Sequence, residues 1–122
     1  SGGELSRLML SIKSLIAQLT SLPTIIFDEI DTGVSGDVAD KVGSIMDKMA
    51  NKMQVITITH LPQIASKGQS HLFVYKEDKN NKTYSNIKKL TSEERIQEVA
   101  KMLSTGSPTA AAISNAKELL KN

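Results

Sequence analysis

With 122 residues, 39% of them hydrophobic and 23% charged, the chain is large enough for one domain with a modest core and leaves little room for a second. Its 15 Lys and Arg stand against 13 Asp and Glu, a formal charge of +2 with the signs interspersed, so no basic stripe advertises a nucleic-acid or anionic-membrane surface. The absence of cysteine excludes disulfide scaffolds and thiolate metal centres, and no apolar run is long enough to span a bilayer, so the composition reads as a soluble, cytoplasmic, single folding unit.

Leu5, Leu8, Met9, Ile12, Leu15, Ile16 and Leu19 recur at helical spacing, and Ser1 with Glu4 has capping-box spacing, which predicts a helix over residues 2–20. Beyond Pro23, Thr24-Ile25-Ile26-Phe27 is a short β-rich run ending abruptly in Asp28-Glu29. It predicts a buried parallel strand with acids at its carboxyl end, where ligands of such sheets sit. After a loop over 30–36, Val38, Val42, Ile45, Met46 and Met49 mark a second helix, and residues 54–59 (QVITIT) mark a second buried strand, completing a βαβ unit. His60 closes that strand as Asp28-Glu29 closes the first, so two strand tips meet on one sheet edge. Pro62 begins a short helix to about residue 67.

Residues 72–76 and 83–90 flank Asp78-Lys79-Asn80-Asn81-Lys82 and predict a β-hairpin, its charged segment reading as a solvated turn rather than a binding patch. Thr91 and Glu94 repeat the capping-box spacing before Ile96, Val99, Ala100 and Leu103, with Gly106 as the stop. Ser107-Pro108 then caps a last helix with Ala112, Ile113, Ala116, Leu119 and Leu120 on its apolar side. The expected class is α/β: a parallel βαβ core, a hairpin and flanking helices.

Chemistry concentrates at three places. Ser1-Gly2-Gly3 at a helix start offers unpaired backbone N–H groups, a hydroxyl and the positive end of the helix dipole, a seat for an anion. Asp28-Glu29 offers one carboxylate to hold Mg²⁺, through its water shell, and another to orient or deprotonate an attacking water. His60 is able to hydrogen-bond a phosphate. Taken singly, each has a plainer reading, respectively a glycine-rich helix start, an acidic strand end and a structural histidine.

Their order and wording resemble one family. Ser1-Gly2-Gly3-Glu4-Leu5-Ser6-Arg7 resembles the signature motif of ABC-type ATPases, Ile25-Ile26-Phe27-Asp28-Glu29 their Walker B strand, and His60 after Val55-Ile56-Thr57-Ile58-Thr59 their switch histidine. Residues 27–36 (FDEIDTGVSG), 59–65 (THLPQIA) and 94–103 (ERIQEVAKML) resemble the RecN family, bacterial double-strand-break repair and recombination ATPases of the SMC-like branch. The resemblance implies that Asp28 supports Mg²⁺, Glu29 is the catalytic base on water, and His60 binds the γ-phosphate of ATP and helps position that water. It implies that Ser1, Gly2 and Gly3 contact the γ-phosphate held by the opposite protomer, and that Gly33-Val34-Ser35-Gly36 occupies the D-loop at the dimer interface. Ser35 stands where many ABC proteins carry Asp, and Arg7 either orients the signature helix or lies on the surface.

None of the seven glycines starts a G-x-x-x-x-G-K-[ST] stretch, so no Walker A lies in these residues, and no heptad run marks a coiled coil. The expectation is therefore a single partial domain over residues 1–122, the C-terminal half of a head, catalytically incomplete alone. Its expected partners are the N-terminal half of its own head, a second protomer in an ATP-dependent homodimer and DNA, with no membrane, in the bacterial cytoplasm at the nucleoid. An ATPase segment of a membrane transporter and a catalytically silent interaction module are the alternatives.

Overall fold

A computed structural model describes residues 2–19, 21, 23–29, 33–34 and 36–121, with backbone alone at 2, 3, 5–7, 17 and 19. Ser1, and with it the capping contact expected to Glu4, lies outside the described residues, as do Thr20 and Ser35. The chain forms two compact units, residues 1–67 and 68–122.

The first unit holds α1 (Gly2–Leu19), β1 (Thr24–Asp28), α2 (Gly36–Met49), β2 (Gln54–Ile58) and α3 (Pro62–Ala65). β1 and β2 pair in parallel, Thr24 opposite Gln54 through Asp28 opposite Ile58, with α2 as the crossover. Val42 and Met46, one helical turn apart on α2, join Leu10 of α1, Phe27 of β1 and Ile64 of α3 in one core, with Ile25 and Val55 packed against it. Phe27 is its fully buried centre, and burying a side chain of that size contributes about 1.5–3 kcal/mol. The Lys13 ammonium lies 5.5 Å from the Phe27 ring centroid, a cation–π contact that ties α1 to the strand.

One expectation is corrected here. The strands are covered on one face only: Ile25, Phe27, Val55 and Thr57 face the helices, whereas Ile26 is 56% and Ile58 52% exposed. A run apolar on both faces folds into a parallel sheet because both faces are normally covered, and among the described residues nothing covers the second. The apolar stripe of α1 does not face this core. Leu10 is buried and Lys13 and Ser14 are half-buried, while Leu8, Met9, Ile12, Leu15 and Ile16 remain exposed.

The second unit holds β3 (Leu72–Lys79), β4 (Lys82–Lys89), α4 (Ser92–Leu103) and α5 (Ala110–Lys121). The hairpin is longer and its turn tighter than the sequence predicts. Antiparallel pairing continues to Lys79 opposite Lys82, and only Asn80 and Asn81 turn, at φ 51° and 63°. Asparagine tolerates this left-handed pair, which matches the twist of the strands. The predicted capping box is present: the Thr91 hydroxyl accepts from Glu94 N–H (3.2 Å) and the Glu94 carboxylate accepts from Thr91 N–H (3.1 Å). Lys88 Nζ donates to the same carboxylate at 2.9 Å, and chiefly through this bond the Glu94 carboxyl is pushed down to about 2. The last helix is capped two residues later than expected, by Thr109, whose hydroxyl accepts from Ala112 N–H (3.1 Å), instead of by Ser107 ahead of Pro108. Val99 and Ala100 of α4 meet Ala112 and Ala116 of α5, small residues that let the helices approach closely.

Candidate functional site

The parallel register determines where the acids and the histidine go. Asp28 is the last residue of β1 and pairs with Ile58, the last residue of β2, so Asp28-Glu29 and the Thr59-His60 turn leave the same sheet edge side by side. Asp28 belongs to the open face with Ile26, Ile56 and Ile58. Glu29 extends the ladder by one bond, its N–H donating to the Ile58 carbonyl at 3.1 Å, and then takes φ 53°. A non-glycine residue in this left-handed region costs about 1 kcal/mol or more, and such strain persists where surrounding structure fixes it. Asp28, Glu29 and His60 are all exposed at this edge.

Two residues that sequence reasoning did not single out hold the histidine turn in place. The Thr59 hydroxyl accepts from Leu61 N–H at 3.0 Å, which closes the turn around His60 and orients it toward α3. Gly43 lets α3 lie against α2: a Cβ there would come within 3.1 Å of the Gln63 carbonyl oxygen and of Lys67 Cγ, and 3.5 Å from Ile64 Cα. A glycine inside a helix, where alanine would be better by about 0.5–1 kcal/mol, was the signal available in the sequence. We expect Gly43→Ala to destabilise the fold by about 1–2 kcal/mol despite the helix-propensity gain, because a backbone carbonyl cannot swing aside as a side chain can. Chemical denaturation of the variant checks this, and unchanged or increased stability contradicts it.

The loop between β1 and α2 shows why its glycines are spaced as they are. Gly33 and Gly36 have φ 74° and 56°, and between them Val34 is buried, pinning the loop to the fold. Gly2 and Gly3 are placed as expected in the first turn of α1, a separate element from the sheet edge. The first N–H groups of any helix have no carbonyl within the helix to donate to, so this start suits an anion.

A groove of about 570 Å³ lies between the second halves of α1 and α2, lined by Leu10, Leu15, Ile45, Lys48, Met49 and Met53 among others. It lies near the start of β2, at the opposite end of the strands from Asp28, so it is not the chemistry-bearing edge. Among the described residues no helix is long and apolar enough to cross a membrane.

No family model matches the chain. It is 46% identical over 120 residues to the DNA repair protein RecN of Vibrio cholerae, covering 98% of this chain and 22% of that protein. To the RecN of Bacillus subtilis it is 44% identical over 121 residues (99% and 21%), and to that of Rickettsia conorii 47% over 120 residues (98% and 22%). The chain thus spans about a fifth of the length of these relatives. Among solved structures it is similar to a chain from work on the structural biochemistry of ATP-driven dimerization and DNA-stimulated activation of SMC ATPases. The TM-score is 0.67 at 18% identity, covering 88% of this chain and 64% of that one, a likeness of fold.

Proposed function

We propose, for a chain that belongs with the RecN proteins by sequence and with the SMC-type ATPase heads by fold, that it supplies the C-terminal half of an ATPase head used in DNA repair. In this reading both compact units are parts of one head domain. The observation that carries the proposal is the strand-tip edge, where the parallel register sets Asp28 and the strained Glu29 beside the turn that bears His60.

Each residue has a distinct task. Asp28, a single exposed carboxylate at a strand end, fits Mg²⁺, an ion bound through one or two carboxylates together with phosphate oxygens and water. When bound, Mg²⁺ neutralises charge on the phosphates of ATP. Glu29, directed by its left-handed backbone beyond the ladder, takes the proton of the attacking water, and His60 donates a hydrogen bond to the γ-phosphate and helps position that water. The start of α1 at Gly2 and Gly3, with Ser1, receives the γ-phosphate held by a second protomer, and the loop with Ser35 crosses the dimer interface. ATP sandwiched in this way favours the closed pair of heads and hydrolysis releases it, a population shift of the kind any ligand produces when it binds one state better.

The open face of the sheet, with Ile26, Ile56 and Ile58, together with the exposed stripe of α1, is the surface that the rest of the head covers. About four-fifths of each RecN relative lies outside the matched segment, and these 122 residues contain no G-x-x-x-x-G-K-[ST] loop. The isolated segment is accordingly expected to be inactive, with ATP hydrolysis, DNA and the second protomer belonging to the complete protein in the bacterial cytoplasm.

Asp28→Asn tests the division of labour. In a complete RecN-length protein carrying this segment, the substitution should raise the Mg²⁺ concentration for half-maximal hydrolysis by about tenfold, equivalent to about 1.4 kcal/mol of lost ion binding. A Mg²⁺ titration superimposable on that of the unsubstituted protein contradicts the assignment.

A further inference from the structure

The near-neutral total charge conceals an uneven distribution. The β3–β4 hairpin, residues 72–89, carries five lysines (76, 79, 82, 88 and 89) against Glu77 and Asp78, a net +3, whereas the remaining 104 residues hold 10 basic and 11 acidic groups. Ten consecutive residues from Lys76 to Ser85, on both sides of the Asn80-Asn81 turn, are exposed. Lys79 and Lys82 face one another on the last rung, an arrangement that is unfavourable within a sheet unless an anion lies between or beside them. Lys79 reaches Glu77 only at 3.6 Å, and Lys76, Lys82 and Lys89 make no ion pair with the described residues.

We propose that this hairpin is a docking element for the phosphate backbone of duplex DNA. The proposal rests on the reading of the chain as part of a DNA-repair ATPase and identifies the surface that such a protein would use. Alternate rungs place Lys76 and Lys89 on one face, beside exposed Leu72, Val74 and Ile87, and Lys79, Lys82 and Tyr84 on the other, so both faces of the ribbon carry lysine. A flat protein partner would engage one face. A DNA groove presents phosphates on two walls, and the major groove, about 12 Å wide, admits a two-stranded ribbon. At about 3.4 Å per residue, the eight paired rungs give a ribbon about 27 Å long, enough to reach several phosphates. Lysine contacts of this kind are independent of sequence and are weakened by salt as counterions are released. Lys88 is already held by Glu94 at 2.9 Å and anchors the base of the hairpin to α4, leaving the other four lysines for DNA.

The test uses a complete RecN-length protein, duplex DNA labelled for fluorescence anisotropy and a series of salt concentrations. Changing Lys76, Lys79, Lys82 and Lys89 to Gln should weaken binding at least tenfold at low salt. It should also reduce the slope of log affinity against log salt by about 3.6, at about 0.9 for each of the four lost contacts to duplex phosphate. The corresponding change of all four to Arg keeps the charge and should bind as the unsubstituted protein does. ATP hydrolysis without DNA should be unchanged in both, since none of the four belongs to the strand-tip edge. An unaltered affinity and slope in the Gln protein, or an equal loss in the Arg protein, overturns the proposal while leaving the ATPase reading intact. Loss of hydrolysis in the Asp28 and Glu29 variants tests that reading separately.

Discussion

Glu29→Gln, in a complete RecN-length protein, is expected to slow ATP hydrolysis by about two orders of magnitude or more while leaving ATP binding in place. Glutamine keeps the length and hydrogen-bonding reach of glutamate but cannot accept the proton of an attacking water. The backbone around it should not change, because Glu29 N–H still donates to the Ile58 carbonyl and the left-handed φ is a property of the strand end. Glutamine matches glutamate in size at this exposed position, and a denaturation curve of the variant separates a folding defect from loss of the base. ATP-bound dimers should accumulate, because release of the closed state then waits on a step that has been slowed. Single-turnover hydrolysis and the size of the ATP-bound species read both effects together, and an unchanged single-turnover rate removes Glu29 from the role of base.

The parts of the fold carried by local rules were legible in the sequence. The strand runs beginning at Thr24 and Gln54, the helix between them and the Thr91–Glu94 capping box all depend on residues close in sequence, and each is found where its pattern put it. From the two strand ends it followed that Asp28-Glu29 and His60 share an edge, because parallel strands of equal length end together. What escaped depends on partners distant in sequence. The spacing of Leu8, Ile12 and Leu15 marks an apolar stripe without naming what it packs against, and here the stripe is exposed while Leu10 enters the core. Similarly, Ile26 and Ile56 signal a sheet with two covered faces, and only one is covered among the described residues. The hairpin turn was drawn too wide because Lys79 and Lys82 look like loop residues, whereas the left-handed tolerance of Asn80-Asn81 lets pairing run up to them. A wide turn also hides the charge on the hairpin, since lysines in a loose turn imply nothing and lysines paired on an exposed ribbon define a surface.

Gly2→Asp should act on the partner protomer's nucleotide and leave the variant's own nearly untouched. Gly2 opens α1, where the first N–H groups of a helix have no carbonyl within the helix to donate to and the helix dipole is positive, so the position favours an anion. A carboxylate introduced there competes for those groups and repels a γ-phosphate. Since the phosphate that reaches this seat is proposed to be held by the other head, binding of ATP to each monomer should stay within about twofold, while ATP-dependent head dimerisation should weaken by about 100-fold, or about 2.7 kcal/mol. Near-normal dimerisation, or a large loss of monomer binding, contradicts the placement of this helix start.

The central claim is that one chain contributes to two composite sites, giving Asp28, Glu29 and His60 to its own nucleotide and the start of α1 to its partner's. Mixing measures this directly. The Gly2→Asp protein is combined in equal amounts with a protein whose phosphate-cradling loop, outside this segment, has been disabled, and steady-state ATP hydrolysis is recorded for each alone and for the mixture. Each mixed dimer contains one intact site, formed by the loop of the first protomer and the α1 start of the second. Both proteins alone should be inactive and the mixture should recover a substantial fraction of normal hydrolysis, whereas a mixture as inactive as its components would show that Gly2 acts within its own protomer and that the composite arrangement is wrong.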